Sequence, residues 1–332
     1  MINDSLGPIA NESDVQEFEL PLLAIDGGGT KTIGVIVGEQ GEILTSYQSS
    51  ATNYHVVGQK QATDTLSNIL NTLFDQIQTQ LGVSKSIVIK RAVFALAGID
   101  TDKDLAIVKK IVEAAVQNAN MKITDLIVEN DALSALLGST LKSPGILVIA
   151  GTGSIAFAHN GSGTFVRVGG WGHKMGDEGS GYWIGKKAIQ SVLKMYDGRI
   201  EKSILFDKVL QHFKLKNVED LYNWLQGSNY SVHDVSSVSK VVESARQEGD
   251  AISLHIMNEA IHELFELITC AIKKAGIDSQ RFKIVLQGGI LQNNAFIKEQ
   301  LITKIKEKYN QAEVLITNSA PIDLIIQRGL YG

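Results

Sequence analysis

The sequence predicts an α/β protein made of two similar units that face a cleft, with a helical insertion in the second unit. Apolar strands that end in glycine turns occur twice in the same order, and each set leads into alternating helices and strands. Helical periodicity over about residues 176–281 occurs only in the second copy. We therefore expect domains at residues 21–143 and 144–332, preceded by a loose acidic tail at residues 1–20.

The first copy begins as a β-meander whose strands are separated by glycine-containing turns. An apolar run at residues 22–26 ends in three glycines, and strands are expected at 32–37 and 42–48. Apolar residues at helical spacing then cover 56–80. The remaining expected elements are a strand at 87–96, a helix at 102–117, a strand at 126–128 and a helix at 131–137.

The second copy repeats this order. A strand at Gly145–Ala150 ends in a glycine turn, and strands follow at 155–159 and 164–168. Residues 95–99 correspond to 286–290, and 126–132 correspond to 314–320. The insertion predicts helices at about 177–196, 202–213, 233–247 and 251–275. We infer the duplication of a βββαβαβα unit, in which ligands are expected outside the carboxyl ends of the strands.

Charge and cysteine content exclude several classes of protein. The chain has 36 acidic and 31 basic residues, a net charge of -5, and residues 1–20 carry five acidic and no basic residues. The chain has no excess of basic residues of the kind that binds nucleic acid or an anionic membrane. It also has no secretory signal and no apolar run of 18 residues that could span a membrane. The lone Cys270 excludes an intrachain disulfide and argues against a cysteine-rich metal site. We expect a soluble cytoplasmic protein.

Two glycine turns have the composition of phosphate-binding loops. In Asp26-Gly27-Gly28-Gly29-Thr30-Lys31, glycines permit close backbone approach and positive φ, and exposed N–H groups can form an anion nest. Alone, this turn is equally well explained as a plain hairpin. Gly151-Thr152-Gly153-Ser154 lies at the equivalent place in the second copy, and two such turns facing one cleft would clamp a polyphosphate. This pairing favours phosphate binding.

Other nucleotide motifs fit less well. The P-loop pattern is absent, and the Rossmann-like spacing from Gly151 to Ala156 precedes a strand instead of a helix, which argues against a dinucleotide fold. A third glycine loop, Gln287-Gly288-Gly289-Ile290, ends a strand and precedes a helix. It could support an adenosine or be a simple strand-to-helix turn, and both interpretations stay open.

The densest glycine cluster, residues 169–185, also contains two tryptophans and an Asp-Glu pair. A stacking aromatic ring and carboxylates that accept hydroxyl hydrogens suit a sugar. The alternative is a packed loop with both tryptophans in the core. We favour a site role for Trp171 and a core position for Trp183, while Glu178 would fit the first turn of a helix.

Two polar residues of the first copy have both structural and functional interpretations. Asp131 begins a predicted helix after a strand, where it could be an N-cap or a general base, and position alone favours the cap. Asn53 could be a polar loop residue or a substrate ligand. His159 and His173 are solitary, with no second ligand at metal spacing.

Taken together, these loops resemble the N-acetylglucosamine kinases, within the BadF/BadG/BcrA/BcrD-type ATPase group of the actin–hexokinase–Hsp70 superfamily. The resemblance covers about residues 21–330 and is most specific in the block GGWGHKMGDEGS. It implies a ribonuclease-H-like, or actin-like ATPase, fold in each domain. A related branch holds an iron–sulfur cluster with two cysteines per chain, and the single Cys270 excludes that branch.

The resemblance also implies residue roles. Residues 27–31 and 152–154 would bind the phosphates of ATP, and Gly288 and Gly289 the adenosine. Asp131 takes the place of the family's general base, which reverses the preference for a cap. Asp26 would hold Mg²⁺ through water. Positions that bind ATP or sugar in the family correspond to Asn53, Asp131, Thr152, Gly170, Trp171, Gly172 and Asp177.

The implied activity is transfer of the γ-phosphoryl group of ATP to the 6-hydroxyl of N-acetylglucosamine or a close amino sugar. The alternatives are a kinase for glucosamine or N-acetylmuramic acid, or a sugar-sensing or partner-activating ATPase that makes no sugar phosphate. The expected cofactors are ATP and Mg²⁺, and the partner is a small-molecule sugar. The family's frequent dimers make a homodimer a candidate assembly.

Overall fold

The computed structural model describes residues 18–82, 87–141, 143–317 and 319–332. The chain divides into two compact units, one of Met1–Gly138 with Ala320–Gly332 and one of Ser139–Ser319. The domains expected at residues 21–143 and 144–332 stay a prediction, and residues 320–332 belong to the first compact unit. Most of the expected acidic tail lies outside the described residues, but residues 18–20 belong to the first strand.

The first copy forms a mixed five-stranded sheet in the order β3-β2-β1-β4-β5. Strand β2 pairs antiparallel with β1, and β3 pairs antiparallel with β2. Strands β4 and β5 run parallel to β1. The elements are β1 (Phe18–Gly27), β2 (Lys31–Val37), β3 (Ile43–Ser50), α1 (Tyr54–Val57), α2 (Gln59–Leu81), β4 (Ile87–Leu96), α3 (Asp102–Asn118), β5 (Lys122–Glu129) and α4 (Asp131–Thr140).

The second copy has the same topology, with the order β10-β9-β6-β7-β8 and the same strand directions. The structure therefore confirms the duplicated α/β fold. The elements are β6 (Gly145–Ala150), β7 (Ser154–His159), β8 (Phe165–Gly169), α5 (Gly181–Tyr196), α6 (Ile204–His212), α7 (Val218–Gln226), α8 (Val232–Gln247), α9 (Ala251–Ala275), β9 (Phe282–Gln287), α10 (Gly289–Asn293), α11 (Ala295–Lys308), β10 (Ala312–Ile316) and α12 (Pro321–Tyr331).

Helix α12 packs against the sheet of unit 1 because β1 is apolar on both faces. Leu23 and Ile25 belong to the core beneath α2 and α3. Leu22 and Ala24 point to the opposite face, as the two-residue period of a strand requires, and share a second core with α12. The residues that α12 contributes to this core are Ile322, Ile325 and Ile326. Burial of this apolar stripe explains why the chain end returns to unit 1.

The insertion forms helices α5 to α9, including α7, which the sequence did not predict. Helix α5 begins at Gly181 with Ser180 as its N-cap, so the expected start near 177, with Glu178 in the first turn, is wrong. Helices α5 and α8 approach closely at Gly185, where a methyl group would lie 1.9 Å from the Val235 carbonyl oxygen. In the described part of the chain, no helix is long and apolar enough to cross a membrane.

Candidate functional site in the two units

The glycine triplet of unit 1 forms a tight turn between β1 and β2. The Gly28 N–H donates to the Lys31 carbonyl at 2.9 Å, and the Gly28 carbonyl accepts from the N–H of Asn53 at 3.3 Å. None of the three glycines has positive φ, contrary to expectation. A methyl group on Gly27 would lie 2.4 Å from the Thr52 Oγ1, whereas one on Gly29 would meet no atom within 4 Å. Gly27 is therefore needed for packing, and Gly29 leaves the backbone accessible.

Asp26 is the last side chain before this turn. Burial, and to a smaller extent the neighbouring Asp131 carboxylate, raise its pKa to about 6 against the opposing effect of the Lys31 ammonium. Lys31 is exposed and forms no ion pair with a described residue. Asp26 and Asp131 thus lie at the carboxyl ends of β1 and β5, and Lys31 starts β2 beside them.

Asp131 is the first residue of α4, but Asn130 caps the helix. The Asn130 Oδ1 accepts from the N–H of Ala132 at 2.9 Å and of Leu133 at 3.2 Å. The Asp131 carboxylate accepts from the adjacent Ala132 N–H, also at 2.9 Å, and from its own N–H. Burial raises the pKa of Asp131, these backbone contacts lower it, and the Asp100 charge raises it. Because another residue is the cap, capping does not explain an acid at position 131.

Asn53 lies beside the same turn as the N-cap of α1. Its Oδ1 accepts from the His55 N–H at 3.0 Å, and its amide nitrogen has no partner among the described residues. Tyr54 holds this short helix by donating its hydroxyl hydrogen to Asp104, which also accepts from the Thr101 hydroxyl at 2.7 Å. Sequence reasoning did not predict the contact between Tyr54 and Asp104, because α1 and α3 are distant along the chain.

The residues of unit 1 fit a magnesium ion that is bound together with phosphate. No group of three or more His, Cys, Asp or Glu residues in the described ranges could hold a metal ion by itself. Mg²⁺ is commonly bound by one or two carboxylates with substrate phosphates and waters supplying the remaining ligands. Asp26, whose ionised form is disfavoured by burial and by Asp131, has the donor chemistry for this mode.

In unit 2, the turn from Gly151 to Ser154 is anchored to the start of α5. The Gly151 carbonyl accepts from the Gly181 N–H at 2.8 Å, and the Thr152 carbonyl accepts from the Tyr182 N–H at 3.2 Å. The Ser154 hydroxyl donates to the Glu178 carbonyl at 2.7 Å. The Thr152 hydroxyl is exposed and has no described partner. The turn is therefore rigid, with one hydroxyl available.

Asp177 connects this turn to the glycine-rich loop. Its carboxylate is buried and accepts from the Gly172 N–H at 3.2 Å, and its φ of +59° is in the left-handed region, which Asp tolerates better than most residues. A methyl group on Gly153 would lie 2.7 Å from the Asp177 Oδ2. Burial raises the pKa of Asp177, and backbone donors from Gly172 and Ser154 lower it. Glycine at 153 therefore allows the carboxylate to approach the turn.

Trp171 projects from the same loop and is 74% exposed, which excludes a core position. The Arg167 guanidinium lies 5.0 Å from the centre of its ring and donates to the Gly170 carbonyl at 2.5 Å. Trp183, as expected, packs against the core of unit 2. The core position predicted for Trp183 is confirmed, whereas the site role of Trp171 stays a prediction, and the contact between Arg167 and Trp171 was not predicted.

The third glycine loop contains one structural and one accessible glycine. Gly288 has a φ of +99°, and a methyl group on it would lie 2.5 Å from the Ala150 carbonyl oxygen. Gly289 has no positive φ, and the nearest atom to a methyl group there would be the Asn293 Nδ2 at 3.8 Å. Packing thus explains glycine at 288 but not at 289.

Gly289 opens onto a cavity of about 570 Å³ in unit 2, within the size range of small-molecule sites. The Gly151–Thr152 backbone borders the cavity on another side. One face of α8, with residues at helical spacing, forms a further wall that sequence reasoning missed. The residues of this face are His233, Ser236, Ser237, Lys240 and Glu243. Their spacing was visible in the sequence, but an exposed helix shows the same polar pattern.

The family profile described as the BadF/BadG/BcrA/BcrD ATPase family matches residues 23–326. The chain belongs to this family. It is 33% identical to the N-acetyl-D-glucosamine kinase of Dictyostelium discoideum over 90% of this chain and 94% of that protein. It is 32% identical to the N-acetylmuramic acid/N-acetylglucosamine kinase of Clostridium acetobutylicum over 89% and 93% of the two chains.

Among solved structures, a putative N-acetylglucosamine kinase from Chromobacterium violaceum superposes with a TM-score of 0.65 at 21% identity, covering 93% of this chain and 98% of that one. At this identity the match establishes the fold alone. The actin-like ATPase fold expected from the glycine loops is therefore confirmed, as is the family resemblance.

Proposed function

We propose that this family member is an ATP-dependent sugar kinase that phosphorylates the 6-hydroxyl of N-acetylglucosamine or a close amino sugar. The observation that carries the proposal is Asp131. Its carboxylate begins a helix that Asn130 already caps, and it lies near the carboxylate of Asp26 and the glycine turn. The names of the two relatives support the choice of sugar.

Asp131 is proposed as the general base. The sugar oxygen forms a bond to the γ-phosphorus, the bond from that phosphorus to the β–γ bridging oxygen breaks, and Asp131 accepts the hydroxyl proton as ADP leaves. Proton acceptance becomes more effective as the pKa of the base rises toward the working pH, and burial raises the pKa of Asp131.

The phosphates are proposed to contact the two glycine turns and the nucleoside to occupy the cavity beside Gly289. Gly29 and Gly289 support this assignment, because neither φ nor packing requires glycine there, whereas close approach of a ligand does. Thr30, Lys31 and Thr152 add polar groups that are exposed. Mg²⁺, held by Asp26, would neutralise charge that develops on the phosphates.

The sugar is proposed to bind through the amide of Asn53, the carboxylate of Asp177 and the ring of Trp171. The free amide nitrogen of Asn53 can donate to a sugar oxygen. Asp177 is a buried acceptor that its loop holds in one orientation. An exposed tryptophan braced by Arg167 provides a flat surface for stacking. Backbone groups of Gly170 and Gly172 complete this part of the site.

The test is ADP release measured with N-acetylglucosamine, glucosamine and N-acetylmuramic acid, with and without Mg²⁺, and with product identification by mass spectrometry. We expect magnesium-dependent formation of a 6-phosphate from at least one of the three sugars. An Asp131→Asn preparation purified in the same way is the control for contaminating kinases.

The same assay separates the alternatives. The name of the Clostridium relative makes N-acetylmuramic acid a second candidate substrate. If kcat/KM is larger for N-acetylmuramic acid than for N-acetylglucosamine, N-acetylmuramic acid becomes the proposed substrate. ADP release without sugar phosphate would instead identify a partner-activating ATPase. Sugar binding without ADP release would identify a sensor, and either result would overturn the kinase assignment.

A further inference from the structure

The two ends of the cavity in unit 2 can be distinguished by their contacts. A methyl group on Gly181 would lie 2.5 Å from the Ser236 Oγ and 3.1 Å from the Gly151 carbonyl oxygen, so Ser236 is at the phosphate-turn end. At the other end, the Asn294 amide donates to the Glu243 carboxylate at 3.3 Å. Ser236 and Glu243 are seven positions apart on α8, about 10 Å along the helix axis. With phosphates at the Gly151 turn, the base lies toward Glu243.

Glu243 is the only carboxylate among the described residues that line the cavity, and its oxygens already have donors. The Arg246 guanidinium donates to both oxygens at 2.9 and 2.8 Å, and the Gln247 amide donates to one of them at 2.9 Å. The pKa of Glu243 is lowered by these contacts, chiefly by Arg246. The Arg246 guanidinium also stacks 4.2 Å from the Phe296 ring, which holds it in place.

The described side chains that line the cavity without a hydrogen-bond partner do not distinguish an amino group from a carbonyl. Ser236 has a hydroxyl that can rotate to donate or accept. Asn293 is exposed and can present either end of its amide. Lys240 is an exposed cation on a flexible chain and forms no ion pair with a described residue, so it can donate to any acceptor of a purine.

We propose, on the basis of the proposed function, that the phosphoryl donors of this enzyme are purine nucleoside triphosphates as a class, with either an amino or an oxo group at position 6. A site rejects an analogue strongly only when buried polar groups are left unpaired by it. Here the Glu243 carboxylate already accepts hydrogen bonds from Arg246, Gln247 and Asn294. The remaining polar groups can donate to or accept from either base.

The test compares ATP with ITP, which replaces the 6-amino group by an oxo group. Dissociation constants are measured by calorimetry with Mg²⁺, and kcat/KM is measured with the preferred sugar. We expect the two nucleotides to agree within tenfold in both quantities, which corresponds to less than about 1.4 kcal/mol. A preference for ATP above tenfold would overturn the proposal.

Nucleotide binding without formation of sugar phosphate would contradict the proposed function, but the binding ratio would still decide the selectivity. Failure of both nucleotides to bind would overturn both proposals. The two failures are therefore distinguishable.

Arg246→Met tests the role of Glu243. Removing the guanidinium opens one acceptor position on each Glu243 oxygen, beside the bonds from Gln247 and Asn294 that remain, and we expect the preference for ATP over ITP to rise more than tenfold. Lys202→Met is the matched control, because Lys202 stacks on Phe206 and pairs with Asp207 away from the cavity. An unchanged ratio in a folded Arg246→Met protein would contradict the role of Glu243. If that variant does not fold, the wild-type ratio remains decisive.

Discussion

The two copies of the sheet share a topology but present opposite chemistry where their first strands end. In unit 1, Asp26 is the next-to-last residue of β1, and the helix after the last strand starts with Asp131. In the second copy, β6 ends in the fully buried Ala150, and the helix after the last strand starts with the exposed Pro321, which belongs to unit 1. One copy therefore concentrates carboxylates, whereas the other offers a glycine–hydroxyl turn beside a cavity. In the proposed function, this difference assigns proton and metal chemistry to one copy and nucleoside binding to the other.

A second difference concerns the last helix of each copy. Helix α4 follows β5 and carries Asp131 at its start, but α12 follows β10 and packs on the sheet of unit 1. Arg328 of α12 pairs with Glu129, two residues before Asp131, at 3.1 Å. The second copy thus contributes structural support to the carboxylate corner of the first.

The largest expected effect concerns the base of unit 1. Asp131→Asn should lower kcat by about 10²–10⁴-fold, the usual contribution of a general base, because the amide cannot accept the hydroxyl proton. Asp102→Asn is the matched control, since Asp102 is the exposed first residue of α3, which Thr101 caps. Steady-state kinetics should show little change for the control. A folded Asp131→Asn enzyme with wild-type kcat would remove the chemical distinction between the units.

The next effect is a pH dependence of stability that originates at Asp26. Its pKa is raised to about 6 in the fold, so the folded protein binds a proton that the unfolded chain releases near pH 4. Stability from this group is present at low pH and is lost as pH rises from about 4 to 6. In the presence of a chelator, wild type should lose up to about 3 kcal/mol of unfolding free energy relative to Asp26→Asn across this range.

Urea unfolding of both proteins at pH 4, 5, 6 and 7 measures this difference directly. Because all other titrating groups are common to the two proteins, the difference isolates position 26. If the unfolding free energies of the two proteins changed in parallel with pH, the fold would not raise the pKa of Asp26. The contrast between Asp26 and Ala150 would then have no electrostatic consequence.

Adjacent glycines of unit 2 provide the third test. Gly288→Ala should destabilise the protein by about 1–3 kcal/mol, because its positive φ and the Ala150 carbonyl exclude a methyl group. Gly289→Ala should leave the thermal midpoint nearly unchanged but weaken nucleotide binding. Calorimetry and thermal unfolding of both variants measure the two effects. Equal nucleotide affinity for wild type and Gly289→Ala would argue against nucleotide binding at this corner.

The smallest effect tests the support from α12. Arg328→Met should destabilise the protein by about 1–3 kcal/mol, less than a fully buried pair, because Arg328 and Glu129 retain 18% and 10% side-chain exposure. We also expect a lower kcat with little change in nucleotide KM, since the affected segment leads to Asp131. Lys90→Met removes the exposed pair with Glu19 and should have a smaller effect on stability. Equal effects of the two variants would contradict a specific role for α12.

The sequence by itself determined the duplicated α/β pattern, because strand runs and glycine turns are local signals that occur in the same order twice. Composition and spacing also predicted two phosphate-binding turns and a site role for Trp171 and its glycine-rich loop, and these stay predictions. The resemblance of these loops to a family supplied the role of Asp131, which position alone had assigned to a cap.

Tertiary structure decided what depends on partners distant in sequence. It assigned the cap to Asn130, distinguished the packed Gly288 from the accessible Gly289, and moved α12 to unit 1. It also turned one polar face of α8 toward a cavity. The physical reason is common to these cases: periodicity reports which face of an element is apolar, but the surface that covers that face is fixed only when the whole chain is folded.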